Sequence, residues 1–353
     1  MTIVSQIISF VIGVDTHAKT HTFAVTAASG QPLAQRTFPV TPAGFTRAQE
    51  WVARITSDDP SLLWVVEGAS TYGASLVESL HQAGHLVVEA PNVPKGLRSG
   101  KGKSDPIDAA LIAAATLPLD VSRLRHPRSD NGVRPAIRVL ITARDQMTTQ
   151  RTAAVNALTA TLRTAPLGVD ARKKPSLTLI RRVAAWRTRD ESIYLEIVRA
   201  DAVRLAKQIT SLHTQLDANE KLIKQLVGIS PAAGLLNVKG IGPITAGVAF
   251  TVWSHHGRIH SEAAFASIAG VNPLPASSGN TTRHRLNRGG DRRLNHALHM
   301  ATVTRMRVDP KTIEYVERRK AEGLTKPEIR RCLKRYLARH IYRALNAAAT
   351  ATT

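Results

Sequence analysis

The strongest constraint on this chain lies in its middle. From Leu195 the apolar positions run Leu195, Val198, Ala202, Leu205, Ile209, Leu212, Leu216, then Asn219, Ile223 and Leu226. Their steps alternate three and four over nearly five heptads, which specifies one long helix with a narrow apolar seam. Asn219 is the polar position in that seam, of the kind that fixes register or partner number. A second helical stretch, 136–163, contains neither Gly nor Pro. The seam predicts a coiled coil, pairing either with this stretch or with another subunit. The alternative is an amphipathic helix packed on its own domain.

Charge divides the chain unevenly. Of 48 Lys and Arg and 26 Asp and Glu, residues 1–120 carry 8 and 10, a net of −2, so the remainder carries +24. A solubilising bias would be spread along the chain; this one is confined to the part suited to phosphate backbones. A hydrophobic fraction of 43% excludes wholesale disorder. No apolar run is long enough to span a membrane, and Ile3–Val14 lacks the basic start of a signal peptide. The single cysteine, Cys332, excludes a disulfide framework and a multi-cysteine zinc site. These features describe a soluble intracellular protein drawn to polyanions.

The N-terminal part alternates strands and helices. Strands are predicted at 8–14, 22–26, 33–40, 62–66 and 86–89, and helices at 45–55, 74–83 and from Asp105, which is an α/β layout. Leu62–Val66 is continuously apolar, as a strand buried on both faces would be. Asp15 and Glu67 close strands, while Asp105 and Asp108 open a helix, with Asp105 suited to the N-cap and Pro106 to the first helical position. Capping explains one of these acids. It explains less well why Asp15 and Glu67 end buried strands, where an unpaired carboxylate is costly. Four carboxylates together suit Mg²⁺ or Mn²⁺, and two such ions can hold the attacking and leaving oxygens of a phosphoryl transfer. The thirteen histidines offer no comparable set, because His256/His260 and His296/His299 have helical spacing without partner ligands.

Two C-terminal segments carry phosphate chemistry. Lys239-Gly240-Ile241-Gly242-Pro243 enters an apolar helix, and such a turn either leaves backbone N–H groups free for a phosphate, as in helix-hairpin-helix elements, or is a plain helix entry. Further on, Ser277-Ser278-Gly279 is followed by Arg283, Arg285, Arg288, Arg292 and Arg293. A serine hydroxyl ahead of several guanidiniums could attack a phosphodiester, although Ser-Gly alone is ordinary turn chemistry. The stretch 318–343 is a helical run dense in Arg and Lys.

The ordered set is more specific than its members. Gly13-Val14-Asp15-Thr16-His17-Ala18-Lys19, Val66-Glu67, Gly102-Lys103-Ser104-Asp105-Pro106-Ile107-Asp108-Ala109 and Gly240-Ile241-Gly242-Pro243 come first. Ala269-Gly270-Val271-Asn272-Pro273, Ser277-Ser278-Gly279 and Leu286-Asn287-Arg288-Gly289-Gly290-Asp291-Arg292-Arg293-Leu294-Asn295 follow. Over nearly its whole length the chain resembles the DEDD-type insertion-sequence transposases, the bridge-RNA-guided recombinases that use a serine and carboxylates. The resemblance implies an RNase H-like (RuvC-like) metal-binding domain over 1–125 and a helical coiled-coil dimerisation segment over 126–228. Over 229–353 it implies a mostly helical, basic transposase domain with a helix-hairpin-helix-like element. It assigns Asp15, Glu67, Asp105 and Asp108 to the metal, and Ser278 to the nucleophile, the Ser-Gly spacing selecting it over Ser277. It further implies donor and target DNA, a noncoding guide RNA, a dimer or tetramer, and a bacterial, cytoplasmic, nucleoid-associated setting. Lys239, Gly240, Gly242 and the five arginines are the expected nucleic-acid contacts. With acids and serine in separate domains, the expected site is composite. The rival readings are a RuvC-like junction nuclease without a covalent step, and a non-catalytic nucleic-acid-binding protein.

Overall fold

The computed structural model describes residues 2–98, 104–128, 132–276 and 284–351. They divide into two compact units, 1–129 with 254–264, and 130–253 with 265–353.

The first unit runs α1 (Val4–Ile7), β1 (Phe10–Thr16), β2 (Thr20–Ala27), β3 (Pro32–Pro39), α2 (Pro42–Thr56), β4 (Leu62–Val66), α3 (Ala74–Gln82), β5 (Val87–Glu89), α4 (Lys95–Arg98) and α5 (Asp105–Thr116). Five described strands form one sheet in the order β3-β2-β1-β4-β5. β1, β2 and β3 are antiparallel neighbours, whereas β4 is parallel to β1 and β5 to β4. β1 and β4 are interior and covered on both sides, which is why their sequences run apolar without alternation. Ile12, Val14, Phe23, Trp64 and Val66 pack against Phe45, Trp51 and Leu76 of α2 and α3. On the other face Val11, Leu63, Val65 and Val88 pack against Ile112 and Ala113 of α5. Gly13 makes that second layer possible: a Cβ there would lie 2.1 Å from the Ala109 carbonyl oxygen of α5. The helix therefore rides directly on β1.

The start of α5 differs by one residue from the sequence reading. Ser104 is the N-cap, in extended conformation, and its carbonyl accepts the Asp108 N–H at 2.9 Å. Asp105 and Pro106 both lie inside the first turn, and Ser104 makes no side-chain cap.

The second unit contains α6 (Val133–Thr164), α7 (Leu177–Ala184), α8 (Ile193–Gly228) and a 3-10 turn (Ala233–Asn237), followed by α9 (Pro243–Trp253). α10 (Glu262–Ile268), β6 (Leu274–Pro275), β7 (His284–Arg285), α11 (Arg292–Val308), α12 (Pro310–Ala321) and α13 (Lys326–Thr350) complete the chain. α6 and α8 lie along one another. The seam residues Ala202, Leu205 and Ile209 pack with Val155, Leu158 and Leu162 of α6 and with Ile180 and Val183 of α7. Asn219 donates to the Leu140 carbonyl at 2.9 Å, and Arg144 reaches back to the Leu216 carbonyl at 2.9 Å. α9 packs on α6, α8 and α11, so most of the segments expected as 126–228 and 229–353 falls in this unit, while 254–264 belongs to the first.

Two helical expectations are corrected. The basic run 318–343 is not one helix: Gly323, at φ +85, ends α12, and a Thr325–Glu328 capping box starts α13. His256 and His260 do not share a helix either, since 254–260 contains no helical residue.

Candidate metal edge and basic C-terminal face

The first-unit site is built by the parallel pairing of β1 and β4. Their register ends at Val14 beside Val66, so Asp15 and Glu67 follow at the same carboxyl edge. The Glu67 N–H donates to the Val14 carbonyl at 3.0 Å, and the Thr16 hydroxyl donates to the Glu67 carbonyl at 2.9 Å. Because alternate strand residues share a face, Asp15 lies on the same side as Gly13, under α5. Asp105, in the first turn of α5, meets it there. One residue that the sequence reading left out joins them: His17 Nε2 is 3.2 Å from Asp15 Oδ2 and 3.4 Å from Asp105 Oδ1. The donor atoms of Asp15, His17 and Asp105 all lie within 4.8 Å of one another. Asp108 follows Asp105 by one turn, and Glu67 is solvent-exposed at the strand end. Neither belongs to this closest grouping.

The electrostatics favour a cation. Burial pushes the Asp15 carboxyl above the usual range, His17 opposes the shift, and the charges of Asp105 and Asp108 add to it. The Asp15 side chain is 10% exposed, while those of Asp105 and His17 are 52% exposed. A desolvated carboxylate among like charges, with partners open to solvent, is a donor set that a hard divalent ion would neutralise. The signal for His17 was present in the sequence, two residues beyond Asp15. Spacing alone does not mark it, because its partners come from a strand end and a distant helix.

The second unit holds the basic face. Ser277, Ser278 and Arg283 lie outside the described residues, in the stretch 277–283 between the paired strands β6 and β7. The flanks of that stretch are closely braced. Asn287 donates to Asn272 Oδ1 at 2.7 Å and accepts from the Gly289 N–H at 2.8 Å. Asn295 donates to the carbonyls of Ala269 and Gly270 at 2.8 and 3.1 Å. Gly290 passes so near Gly270 that a Cβ on it would stand 2.3 Å from the Gly270 nitrogen. Asp291 caps α11 by accepting the Leu294 N–H at 2.8 Å. Arg285 on β7, Arg288, and Arg292 and Arg293 in the first turn of α11 are exposed. Two cations at a helix N-terminus oppose its dipole, so the arrangement gains from a bound anion. Arg293 also pairs with Asp145 of α6, at 2.8 Å.

In the Gly240 turn, Gly240 has φ +83, and a Cβ there would clash with Arg305 and with the Ala301 carbonyl. This glycine seats the turn on α11. Lys239 and Gly242 are exposed, the latter in open space at the entry to α9.

Acids gathered at a sheet edge, in a chain whose second unit is basic and helical, define a protein that works on phosphate backbones. Comparison with known proteins narrows this. A transposase family model, the DEDD type of IS110, matches residues 12–166, and the model of the transposase IS116/IS110/IS902 family matches residues 232–317. The "Insertion element IS900 uncharacterized 42 kDa protein" of Mycobacterium paratuberculosis is 24% identical over 328 residues, covering 78% of this chain and 80% of that protein. The "Insertion element IS110 uncharacterized 43.6 kDa protein" of Streptomyces coelicolor is 32% identical over 123 residues, 34% of this chain and 30% of that protein. The chain belongs to the IS110-type family of insertion-sequence transposases. No helix among the described residues is long and apolar enough to cross a membrane.

Proposed function

We propose that this transposase cleaves and rejoins DNA strands with Ser278 as nucleophile and a divalent cation, Mg²⁺ or Mn²⁺, held by Asp15, Glu67, Asp105 and Asp108. The observation that carries the reading is the meeting of Asp15 with Asp105 and His17 at the carboxyl edge of the sheet. The strand order, with two antiparallel and two parallel neighbours, supports an RNase H-like (RuvC-like) domain. A cation bound there supplies charge neutralisation at a phosphoryl oxygen. Asp15, buried beneath α5, anchors that charge, and the exposed Asp105 and Glu67 leave the edge open to a backbone. Ser278 Oγ attacks phosphorus and forms a phosphoserine ester. The P–O bond to the deoxyribose breaks, and the serine proton ends on the departing sugar oxygen. Attack by the hydroxyl of the joining strand reverses the exchange and frees the serine. Arg283, Arg285, Arg288, Arg292, Arg293, Lys239 and the backbone at Gly240 and Gly242 hold phosphates along the DNA. A noncoding RNA that pairs with donor and target DNA supplies sequence choice, and a dimer or tetramer is the working assembly. On α8 the large apolar groups left exposed for such an assembly are Ile193, Tyr194 and Ile197 at its start and Leu222 near its end.

The test is incubation of protein, guide RNA, labelled DNA and Mg²⁺, followed by a search for a covalent protein–DNA adduct. The reading expects an adduct that Ser278→Ala abolishes and cutting that Asp15→Asn abolishes. Cutting without an adduct would establish a junction nuclease instead, and binding alone a non-catalytic protein. A direct readout of the metal is Mn²⁺ binding by electron paramagnetic resonance, weakened in Asp15→Asn and in Asp105→Asn.

A further inference from the structure

A cavity of about 660 Å³ lies in the second unit, between the 270–273 turn, β7 and one face of α13. Its wall on α13 is Glu328, Arg331, Cys332 and Arg335, at spacings that place them on one side of a helix, with Lys334 beside them. Arg285 of β7 faces the same space. The wall thus offers the cations Arg285, Arg331, Lys334 and Arg335 against the single carboxylate of Glu328. That carboxylate is already engaged: it accepts the Thr325 N–H at 2.9 Å in the box that starts α13, and it stands 3.9 Å from Arg331.

Lys334 is the feature that sets this cavity apart from a basic surface. It is 8% exposed, and its ammonium donates to Asn295 Oδ1 at 2.6 Å. Asn295 is itself fixed by its two bonds to the Ala269 and Gly270 carbonyls. An ammonium has three donors, and among the described residues Asn295 takes one. Burial and the neighbouring Arg330 depress the Lys334 pKa, so the ammonium sits where an anion is wanted, and among the described residues no carboxylate supplies it.

We propose that this cavity is a phosphodiester-binding pocket for DNA, in which Lys334 is the fixed central donor and Arg331, Arg335 and Arg285 grip the flanking phosphates. The proposal rests on reading the second unit as the DNA-handling part of the transposase. It deepens that reading by adding α13, on which no function had been placed, to the elements that hold the strand. Lys334 acts here as a binding group. Its tether to Asn295 sets where it stands relative to the braced flanks of β6 and β7.

The test is the salt dependence of binding by the full-length chain to a short DNA duplex, followed by fluorescence anisotropy without added metal. Each phosphate contact contributes about 0.9 to the log–log slope, so Arg331→Gln with Arg335→Gln should flatten the slope by nearly two. Between 50 and 200 mM salt, that is a fall in affinity roughly ten-fold shallower than in the parent. Lys334→Gln should flatten the slope by about one. Arg181→Gln with Arg182→Gln on α7 removes the same charge from exposed positions far along the sequence and should leave the slope unchanged. If the α7 pair flattens the slope as much as the α13 pair, or if the α13 pair changes nothing while its melting temperature is unaltered, the proposal is wrong. A loss seen with an RNA duplex but not with DNA would also overturn it. Should Lys334→Gln fail to fold, the exposed arginine pair still decides. Since no cutting is measured, a failed adduct experiment leaves this test intact.

Discussion

Gly13→Ala is the sharpest perturbation of the acidic edge, because its consequence is fixed by backbone alone. The added methyl would stand 2.1 Å from the Ala109 carbonyl oxygen and 2.9 Å from the Ala113 nitrogen. No side chain can rotate away from either contact. Ordinary contact begins at 3.4 Å, so α5 must retreat from β1 by about 1.3 Å, or the strand must bend by as much. Overpacking of this kind costs about 1–3 kcal/mol. Taking ~2 kcal/mol, the protected amides of β1 and α5 should exchange roughly thirty-fold faster in hydrogen-exchange mass spectrometry. The same retreat carries Asp105 and Asp108 away from Asp15, and a displacement of about 1 Å at a reacting centre costs on the order of 10²-fold in rate. Gly228→Ala, at a helical glycine with open space around it, is the matched control and should be slightly stabilising. If β1 and α5 exchange at the parent rate in Gly13→Ala, the direct seating of α5 on β1 is not what aligns the carboxylates, and the reasoning fails.

Other perturbations have equally definite outcomes. Arg258 donates to both carboxylate oxygens of Glu89, at 2.8 and 3.1 Å, with side chains only 9% and 21% exposed. Arg258→Ala should therefore destabilise the first unit by about 3 kcal/mol and open 254–264 to limited proteolysis, which an unchanged digestion pattern would refute. Asp309 has its pKa held down, first by the Thr312 hydroxyl and then by Arg305. A depressed carboxylate contributes stability that is present above its unfolded pKa of 3.8 and is lost as pH falls through the lower folded value. Urea unfolding from pH 6 down to pH 2 should show this acid limb, and Asp309→Asn should flatten it. Asn219 leaves its Oδ1 buried without a partner among the described residues. Asn219→Leu should accordingly stabilise the second unit, by about 1 kcal/mol, read as a higher denaturation midpoint.

The acidic edge was legible because its signals are local. A strand that carries Asp15 near its end, another that ends just before Glu67 and a helix that opens at Asp105 are each visible in a few residues. Parallel pairing then brings strand ends to one side. What could not be read is what depends on how distant elements cross. Gly13 is one small residue in an apolar run until α5 lies over it. His17 is an isolated histidine until Asp15 and Asp105 flank it, and Lys334 is one cation in a basic helix until Asn295 reaches it. Gly323 divides α12 from α13 because it adopts a positive φ, which the density of charge around it concealed.

The seam of α8 shows the same limit from the side of energetics. Its spacing specified the helix, and Asn219 its polar position, but spacing is silent about the partner. An apolar stripe pairs with whichever complementary surface has the higher effective concentration. A helix in the same chain, joined by a connection that can close, competes at about millimolar or above, which a separate subunit cannot match. α6 meets that condition. Its Leu140 carbonyl takes the Asn219 amide, and Arg144 closes over Leu216, so the polar position fixes the register of α8 against a helix of its own chain. Any assembly of several chains must then draw on groups outside the seam, and the triple substitution of Ile193, Tyr194 and Ile197 to polar residues should dissociate it without unfolding the second unit.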